Sequence, residues 1–183
     1  MFMKPLRSTF AAVCAWAWLA LAALNLADVA FRGRDKASLV AAAVLLLTSG
    51  IAYVLGLRPK AFADAEAVTV VNPLRTTRSP WSSVTKIDGT RTLTVHHEKG
   101  ETHSWAVQAS PRAQRKAERA KPDPRLPEAV AAELAGRTPV TFAIEHLTAQ
   151  RGPGQGPTTT TWSPLALTTL LAPLTLLIAA LFT

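Results

Sequence analysis

The sequence contains a single cysteine, Cys14, which excludes an internal disulfide and a zinc site built from several cysteines. It also lacks glycine-rich phosphate-binding loops, the GxSxG nucleophile motif and the HExxH zinc motif. Acidic residues are scarce, 12 against 20 basic ones, and no charged residue follows Trp162. We therefore predict a protein that is not an enzyme, with no catalytic residue, no cofactor and no resident metal ion.

Three long apolar runs dominate the composition. Residues 8–27, 37–57 and 163–183 contain no charged side chain. Each run reaches the about 20 residues that a helix needs to cross a bilayer core, and in lipid the backbone must be helical. A cleaved signal peptide is the alternative for the first run, but its apolar stretch exceeds the usual about 7–15 residues. A helix lying on the folded domain is the alternative for the third run, which contains Pro173.

The charges that flank these runs predict an orientation. The short link at residues 28–36 makes the first two runs an antiparallel hairpin. One side of the membrane then receives more basic residues, namely Lys4, Arg7, Arg58, Lys60, Arg75 and Arg78, and the other side receives Arg32, Arg34 and Lys36. By the positive-inside rule we predict a multi-pass protein of the bacterial inner membrane. Its N-terminus and middle domain are cytoplasmic, and its C-terminus lies outside.

The middle of the chain has the pattern of an antiparallel meander. Strands are predicted within residues 61–72, 81–88, 91–97 and 101–108, because turn signals such as Asp88-Gly89 recur about every ten residues. In the third strand, Leu93 and Val95 point to one face. In the fourth strand, alternation places His103, Trp105 and Val107 together.

The segments after the meander are more polar. Ser110-Pro111 predicts the start of a helix that runs to residue 121, where three prolines interrupt it. A second short helix is predicted at residues 128–135. Alternating apolar residues predict a further strand at 138–147. Residues 151–162, rich in Gly, Pro and Thr, are predicted to form a flexible linker.

Several strings resemble a known family. An N-terminal hairpin of apolar helices precedes LRPK at 57–60, VTVVNP at 68–73, RT at 75–76 and Trp81. This order is similar to that of the actinobacterial PH-domain-containing membrane proteins, over about residues 8–120. Ser82-Ser83 departs from the acidic residue expected after the tryptophan. The resemblance implies a PH-like fold, a bent antiparallel sheet closed by a C-terminal helix, and it implies no reaction.

The predicted fold class is therefore a membrane α-helical protein, a hairpin plus a C-terminal span, with an α+β PH-like antiparallel sheet or barrel capped by a helix. The transmembrane hairpin occupies residues 1–57, with spans at about 8–28 and 37–57. The PH-like domain with its C-terminal helix occupies 58–121, and a helix and strand extension occupies 122–150. The linker at 151–162 leads to the last span at 163–183.

Three histidines lie on one predicted hairpin. Strand alternation points His96 and His97 to opposite faces, so at most two of His96, His97 and His103 can share a site. Glu98 or Glu101 could complete a metal site or an enzymatic centre. We treat this as the weaker alternative, because the spacing matches no metal motif.

The function predicted from these features is a membrane-anchored scaffold that docks a protein partner, with the lipid bilayer as its second contact and without nucleic acid. The alternative is an electrostatic sensor of anionic lipids, since each basic charge near such a surface contributes about 1 kcal/mol. The candidate contact residues are Arg58, Lys60, Arg75, Arg78, Arg112, Arg115, Lys116 and Arg119. Homo-oligomers, or packing within the hairpin, could use the small residues Ala41, Ala42, Ala43, Ser49 and Gly50.

Overall fold

The structure, a computed structural model, describes residues 5–119 and 138–182. The predicted helix at 128–135 and the proline-rich break before it lie outside the described residues. The helices are α1 (Thr9–Arg32), α2 (Lys36–Ala52), α3 (Pro111–Arg119), α4 (Pro139–Thr148) and α5 (Pro164–Phe182). The strands are β1 (Lys60–Ala63), β2 (Ala67–Val71), β3 (Arg75–Pro80), β4 (Val84–Asp88), β5 (Thr92–His97), β6 (Gly100–Gln108) and β7 (Thr159–Trp162).

The described residues divide into two compact units. We call residues 8–59, 73–76 and 161–182 the helix unit, and residues 5–7, 60–72, 77–119 and 138–160 the sheet unit. The chain therefore enters and leaves each unit more than once. Strands β3 and β7 each contribute residues to both units.

The helix unit contains three helices that are long and apolar enough to cross a membrane. They are α1 with 24 residues, α2 extended by a π-helical turn (Tyr53–Leu57) to 22 residues, and α5 with 19 residues. Hydrogen bonds begin the first two helices, because Ser8 Oγ accepts from Ala11 N–H and Asp35 Oδ1 accepts from Ser38 N–H. This agrees with the three apolar runs of the sequence.

Small residues at seven-residue spacing are buried in these helices: Ala15 and Ala22 in α1, Ala43 and Gly50 in α2, and Ala166, Pro173 and Ala180 in α5. A spacing of seven residues is two helical turns, so each set lies on one face. A Cβ atom at Gly50 would overlap the carbonyl oxygen of Thr169, and one at Gly56 would overlap Ala15 Cβ. Ala43 and Gly50 therefore serve packing within the chain.

The sheet unit is built on two antiparallel sheets. The first has the strand order β1-β2-β3-β7, and the second has the order β4-β5-β6. The core buries Val68 and Val70 from β2, Leu93 and Val95 from β5, and Trp81. The predicted alternation of β5 is confirmed, and so is the predicted fold class of apolar helices, an antiparallel sheet closed by a helix, and a C-terminal helix.

The prediction of a strand at residues 138–147 is wrong, because this segment forms α4. Thr138 caps the helix by accepting a hydrogen bond from Thr141 N–H at 3.1 Å, and Pro139 occupies its first turn. Val140, Ala143 and Leu147 are buried at helical spacing, whereas Phe142 is exposed. The apparent alternation of Val140, Phe142 and Ile144 was therefore a coincidence within a 3.6-residue period.

The helix that closes the sheet is α4 rather than α3. Val140, Ala143 and Leu147 of α4 belong to the same core cluster as Leu93 and Val95. Of the helix predicted as the cap of a 58–121 domain, α3, no described side chain belongs to that cluster. A polar helix such as α3 offers no apolar face to bury, so the closing element must come later in the chain.

Residues 151–162, predicted as a flexible linker, contact the β1–β2 turn at Gly152 and Gly154, whereas most of the segment is exposed. A Cβ atom at Gly152 or Gly154 would overlap the carbonyl oxygen of Ala65 or Glu66, so this segment runs directly against the β1–β2 turn. Ser82 N–H donates to the Gly154 carbonyl at 3.0 Å. Glycine here permits a close approach of two backbones rather than flexibility.

Candidate docking surfaces

Arg75 and Trp162 form an exposed pair in the helix unit. Arg75 lies on β3, and its guanidinium carbon is 4.1 Å from the centroid of the Trp162 ring. This distance is within the range of a cation–π contact. The Trp162 side chain stays 53% exposed and directly precedes α5. An aromatic ring that carries a cation beside an apolar helix is suited to a membrane–water boundary.

Arg58, also in the helix unit, is held in place by a hydrogen bond to another residue of that unit. Its Nη2 donates to Thr76 Oγ1 at 3.1 Å, and its Nη1 is buried without a hydrogen-bond partner among the described residues. Burial lowers the pKa of the Arg58 guanidinium, which still remains charged. Arg58 therefore fixes the end of α2 to β3.

Arg78 is already neutralised by two carboxylates. Its Nη1 lies 3.5 Å from Asp64 Oδ2, and its Nη2 lies 3.1 Å from Glu66 Oε2. Burial opposes ionisation of Asp64, but the N–H groups of Glu66 and Ala67 and the Arg78 guanidinium outweigh it and lower the pKa of Asp64. Arg78 belongs to the sheet unit and, being three positions from Arg75 on β3, lies on the opposite strand face. The two arginines do not form one cluster.

The remaining candidates also belong to the sheet unit. Lys60 Nζ lies 5.6 Å from the centroid of the Phe62 ring. Arg112, Arg115 and Arg119 of α3 are exposed at helical spacing, so they share a face as predicted. The side chain of Lys116 is outside the described residues. This α3 face is the only part of the predicted set that the described residues bring together as a basic surface.

The histidine hairpin brings two histidines and two carboxylates to one face. In the β5–β6 register His96 lies opposite Glu101, and Thr94 lies opposite His103. His96 Nε2 is 2.9 Å from Asp88 Oδ1, and His103 Nε2 is 3.2 Å from Glu101 Oε1. Hydrogen bonds from Lys86 and His96 lower the pKa of Asp88. Within residues 5–119 and 138–182, no group of three or more such side chains has the geometry to hold a metal ion.

His97 points to the other face, as strand alternation predicted. Its Nε2 is 3.0 Å from Thr102 Oγ1, while its Nδ1 is buried without a partner among the described residues. Burial lowers the pKa of His97, and the charges of Lys99 and His96 lower it further. His97 is therefore neutral in the folded protein at a pH where it would be protonated in the unfolded chain.

This pKa shift predicts a loss of stability in acid. The unfolded chain, with an ordinary histidine pKa of about 6.5, binds more protons than the folded one, so stability falls as the pH drops through about 6.5. His97→Gln should reduce that fall, and His103→Gln, a matched exposed control, should retain it. Thermal unfolding of the full chain in detergent micelles at pH about 7.5 and 5.5 measures the difference. An unchanged fall in His97→Gln would contradict this assignment.

The predicted grouping of His103, Trp105 and Val107 is partly wrong. His103 and Trp105 are exposed, but Val107 is buried, because the β5–β6 register shifts between Thr92 and Thr94.

The side chain of Asn72 also contacts β6. Its Nδ2 donates to the His103 carbonyl and its Oδ1 accepts from Trp105 N–H, both at 2.8 Å.

Strand β7 is the surface element that the sequence analysis missed. Its four residues are all exposed, and it forms the end of the first sheet. Three threonines followed by tryptophan are typical of a strand, because β-branched and aromatic residues favour extended structure. That signal was outweighed by the glycines and prolines that precede it.

A comparison with known protein families finds a match that lies mostly within the sheet unit. Residues 58–136 match the family described as bacterial PH domain, which covers less than half of the 183-residue chain. The match begins at the end of α2 and stops before α4, the helix that closes the core. No curated protein and no solved structure shows significant similarity to the chain.

Proposed function

We propose that this chain is a membrane-anchored PH-like scaffold that docks a protein partner at the cytoplasmic face of a bacterial membrane. The observation that carries the proposal is the placement of a bacterial PH domain match between apolar helices: α1 and α2 precede it and α5 follows. Such an arrangement fixes a binding module at a lipid surface. The excess of basic residues on the side of Arg7, Arg58 and Lys60 favours the cytoplasmic orientation.

The described surface suits protein docking better than catalysis. Trp105 is 51% exposed on β6, beside His103, and exposed aromatic residues are enriched at protein interfaces. The hairpin carboxylate of Asp88 is paired with Lys86, so its charge is largely compensated on the surface, and the carboxylate of Glu101 contacts His96 and His103. A partner can therefore approach this face without meeting a large uncompensated charge.

Anionic-lipid sensing is the second candidate, and the exposed arginines of α3 favour it. Arg112, Arg115 and Arg119 have no carboxylate partner among the described side chains. A basic helical face of this kind is attracted to anionic headgroups, with a strength that falls as the salt concentration rises.

Photo-crosslinking separates the two candidates. Benzoylphenylalanine replaces Trp105 or Arg115 in the full chain in native membranes, and Leu171, an exposed residue of α5, is the matched control position. We expect a discrete adduct with a cytoplasmic protein from position 105 that is absent from position 171. Mass spectrometry identifies the adducts.

Two other outcomes would contradict the scaffold or its orientation. Lipid adducts from position 115, without a protein adduct from position 105, would replace the scaffold by the lipid sensor. An adduct with a protein from the opposite side of the membrane would overturn the orientation.

A further inference from the structure

The described residues form two sheets with four edges, and three of these edges are blocked. At β1, Leu6 N–H donates to the Ala61 carbonyl at 2.8 Å, and Ala61 N–H donates to the Leu6 carbonyl at 3.0 Å. At β6, the side chain of Asn72 occupies the His103 carbonyl and Trp105 N–H. Both edges therefore already have hydrogen-bond partners.

The β4 edge is guarded in a different way. Its pairing with β5 is interrupted by an irregularity between Val84 and Lys86, and it carries the charged pair Lys86 and Asp88. Bulges and charged side chains, lysine above all, are the devices by which natural sheets prevent edge-to-edge pairing.

Strand β7 has none of these guards. Its sequence is Thr-Thr-Thr-Trp, without charge, and all four residues are exposed. It is the last strand of its sheet, and within residues 5–119 and 138–182 no strand pairs with its outer edge. An uncharged, regular edge is a template for another strand.

Contacts with β3 show which backbone groups of β7 point outward. Ser163 N–H donates to the Leu74 carbonyl at 2.9 Å, so these two residues form a hydrogen-bonded pair. Because hydrogen-bonded and non-hydrogen-bonded pairs alternate along an antiparallel ladder, the N–H and C=O groups of Thr161 also point toward β3. Thr160 and Trp162 consequently direct their N–H and C=O groups away from β3.

The side chains agree with this register. The hydroxyl groups of Thr77 and Thr160 are 3.2 Å apart, and the Arg75 guanidinium lies over Trp162. Such close side-chain contacts are typical of non-hydrogen-bonded pairs, in which facing residues approach most closely. The outer edge of β7 therefore offers two donors and two acceptors, all from Thr160 and Trp162.

We propose that this edge pairs with β7 of a second copy of the chain. In an antiparallel pair centred on Thr161, Thr160 of one copy lies opposite Trp162 of the other, and all outward groups of both strands are satisfied. Thr161 then faces its own equivalent across the two-fold axis, and threonine pairs of this kind stabilise antiparallel sheets. The contact is closed and self-complementary, as a two-fold dimer requires.

The uncharged sequence of β7 and its short length favour a second copy of the chain over a soluble peptide as the partner of this edge. The chain carries a net charge of +8, yet β7 contains no charged residue that would repel its equivalent, and the Arg75 cation beside it lies over the Trp162 ring. Four residues give a small contact, which needs a high effective concentration of the occupant. A second copy held in the same membrane supplies that concentration, and to this extent the inference rests on the proposed anchoring.

Disulfide crosslinking tests the register. In the full chain carrying Cys14→Ala, in native membranes, Thr161→Cys places the two Cα atoms about 4.5 Å apart across the axis, within the range of a disulfide. Thr159→Cys, two residues along the same strand face, places them roughly 13 Å apart. We expect mild oxidation to give at least about tenfold more covalent dimer from Thr161→Cys than from Thr159→Cys.

A second substitution tests the backbone pairing. Thr160→Pro removes an outward N–H and no backbone hydrogen bond to β3, although it also removes the hydroxyl contact with Thr77, so it should reduce the Thr161→Cys dimer to the level of the Thr159→Cys control. Thr160→Lys, which adds the charge that guards other edges, should act in the same way. Unchanged protection of β5 amides against hydrogen exchange shows that each variant remains folded.

Several results would overturn the pairing: equal crosslinking at positions 159 and 161, none at position 161, or a dimer that survives both substitutions at Thr160. A disulfide from Thr161→Cys to a different protein would exclude the second copy but leave the scaffold proposal intact. Conversely, a position-specific dimer without any protein adduct at position 105 would support the pairing and contradict the scaffold.

Discussion

Leu147→Ala should lower the free energy of unfolding of the sheet unit by about 2–5 kcal/mol. Leu147 is 0% exposed and packs in the same core cluster as Leu93, Val95 and Val140. Truncation removes most of the side chain and leaves a cavity between α4 and the sheet. Hydrogen–deuterium exchange of β5 amides, in the full chain in detergent micelles, measures the loss as reduced protection.

The control for this substitution is Arg115→Ala on α3. Arg115 is exposed, and its change should alter the protection of β5 by no more than about 0.5 kcal/mol. The comparison decides which helix closes the sheet. If Arg115→Ala proved as damaging as Leu147→Ala, the assignment of α4 as the closing helix would fail.

Gly154→Ala is the second substitution with a large expected effect. A Cβ atom there would overlap the backbone carbonyl of Glu66, which has no flexible end that could move aside. The segment must shift outward, with loss of the hydrogen bond from Ser82 N–H to the Gly154 carbonyl. We expect a destabilisation of about 1–3 kcal/mol, the usual cost of overpacking.

Gln155→Ala, at the next position and exposed, is the matched control for Gly154→Ala. Limited proteolysis of the full chain should detect cleavage between residues 151 and 158 in Gly154→Ala alone. Equal resistance of the two variants would show that the segment tolerates a side chain and is a linker, as its composition first indicated.

The elements that the sequence predicted correctly are those with a long and simple pattern. The three uncharged runs correspond to α1, α2 and α5, because about twenty apolar residues in succession have few alternatives to a helix. The alternation around Leu93 and Val95 identified β5 and its buried face. Such local patterns survive folding since the same face is buried throughout the element.

The missed features depend on contacts between distant residues. In the sequence Gly152 and Gly154 indicate flexibility, but in the structure the β1–β2 turn lies directly against them. Asn72, next to a proline, indicates a turn, but its side-chain amide forms two hydrogen bonds with β6. The two basic candidates Arg75 and Arg78 are close in sequence, yet strand alternation separates them, and carboxylates hold one of them. No local pattern in a sequence reports partners of this kind.

The position of β7 in the chain has a consequence for biosynthesis. The first sheet lacks its fourth strand until residues 159–162 have left the ribosome, and the apolar α5 follows after a single residue. Completion of the first sheet and emergence of α5 from the ribosome are therefore nearly simultaneous events.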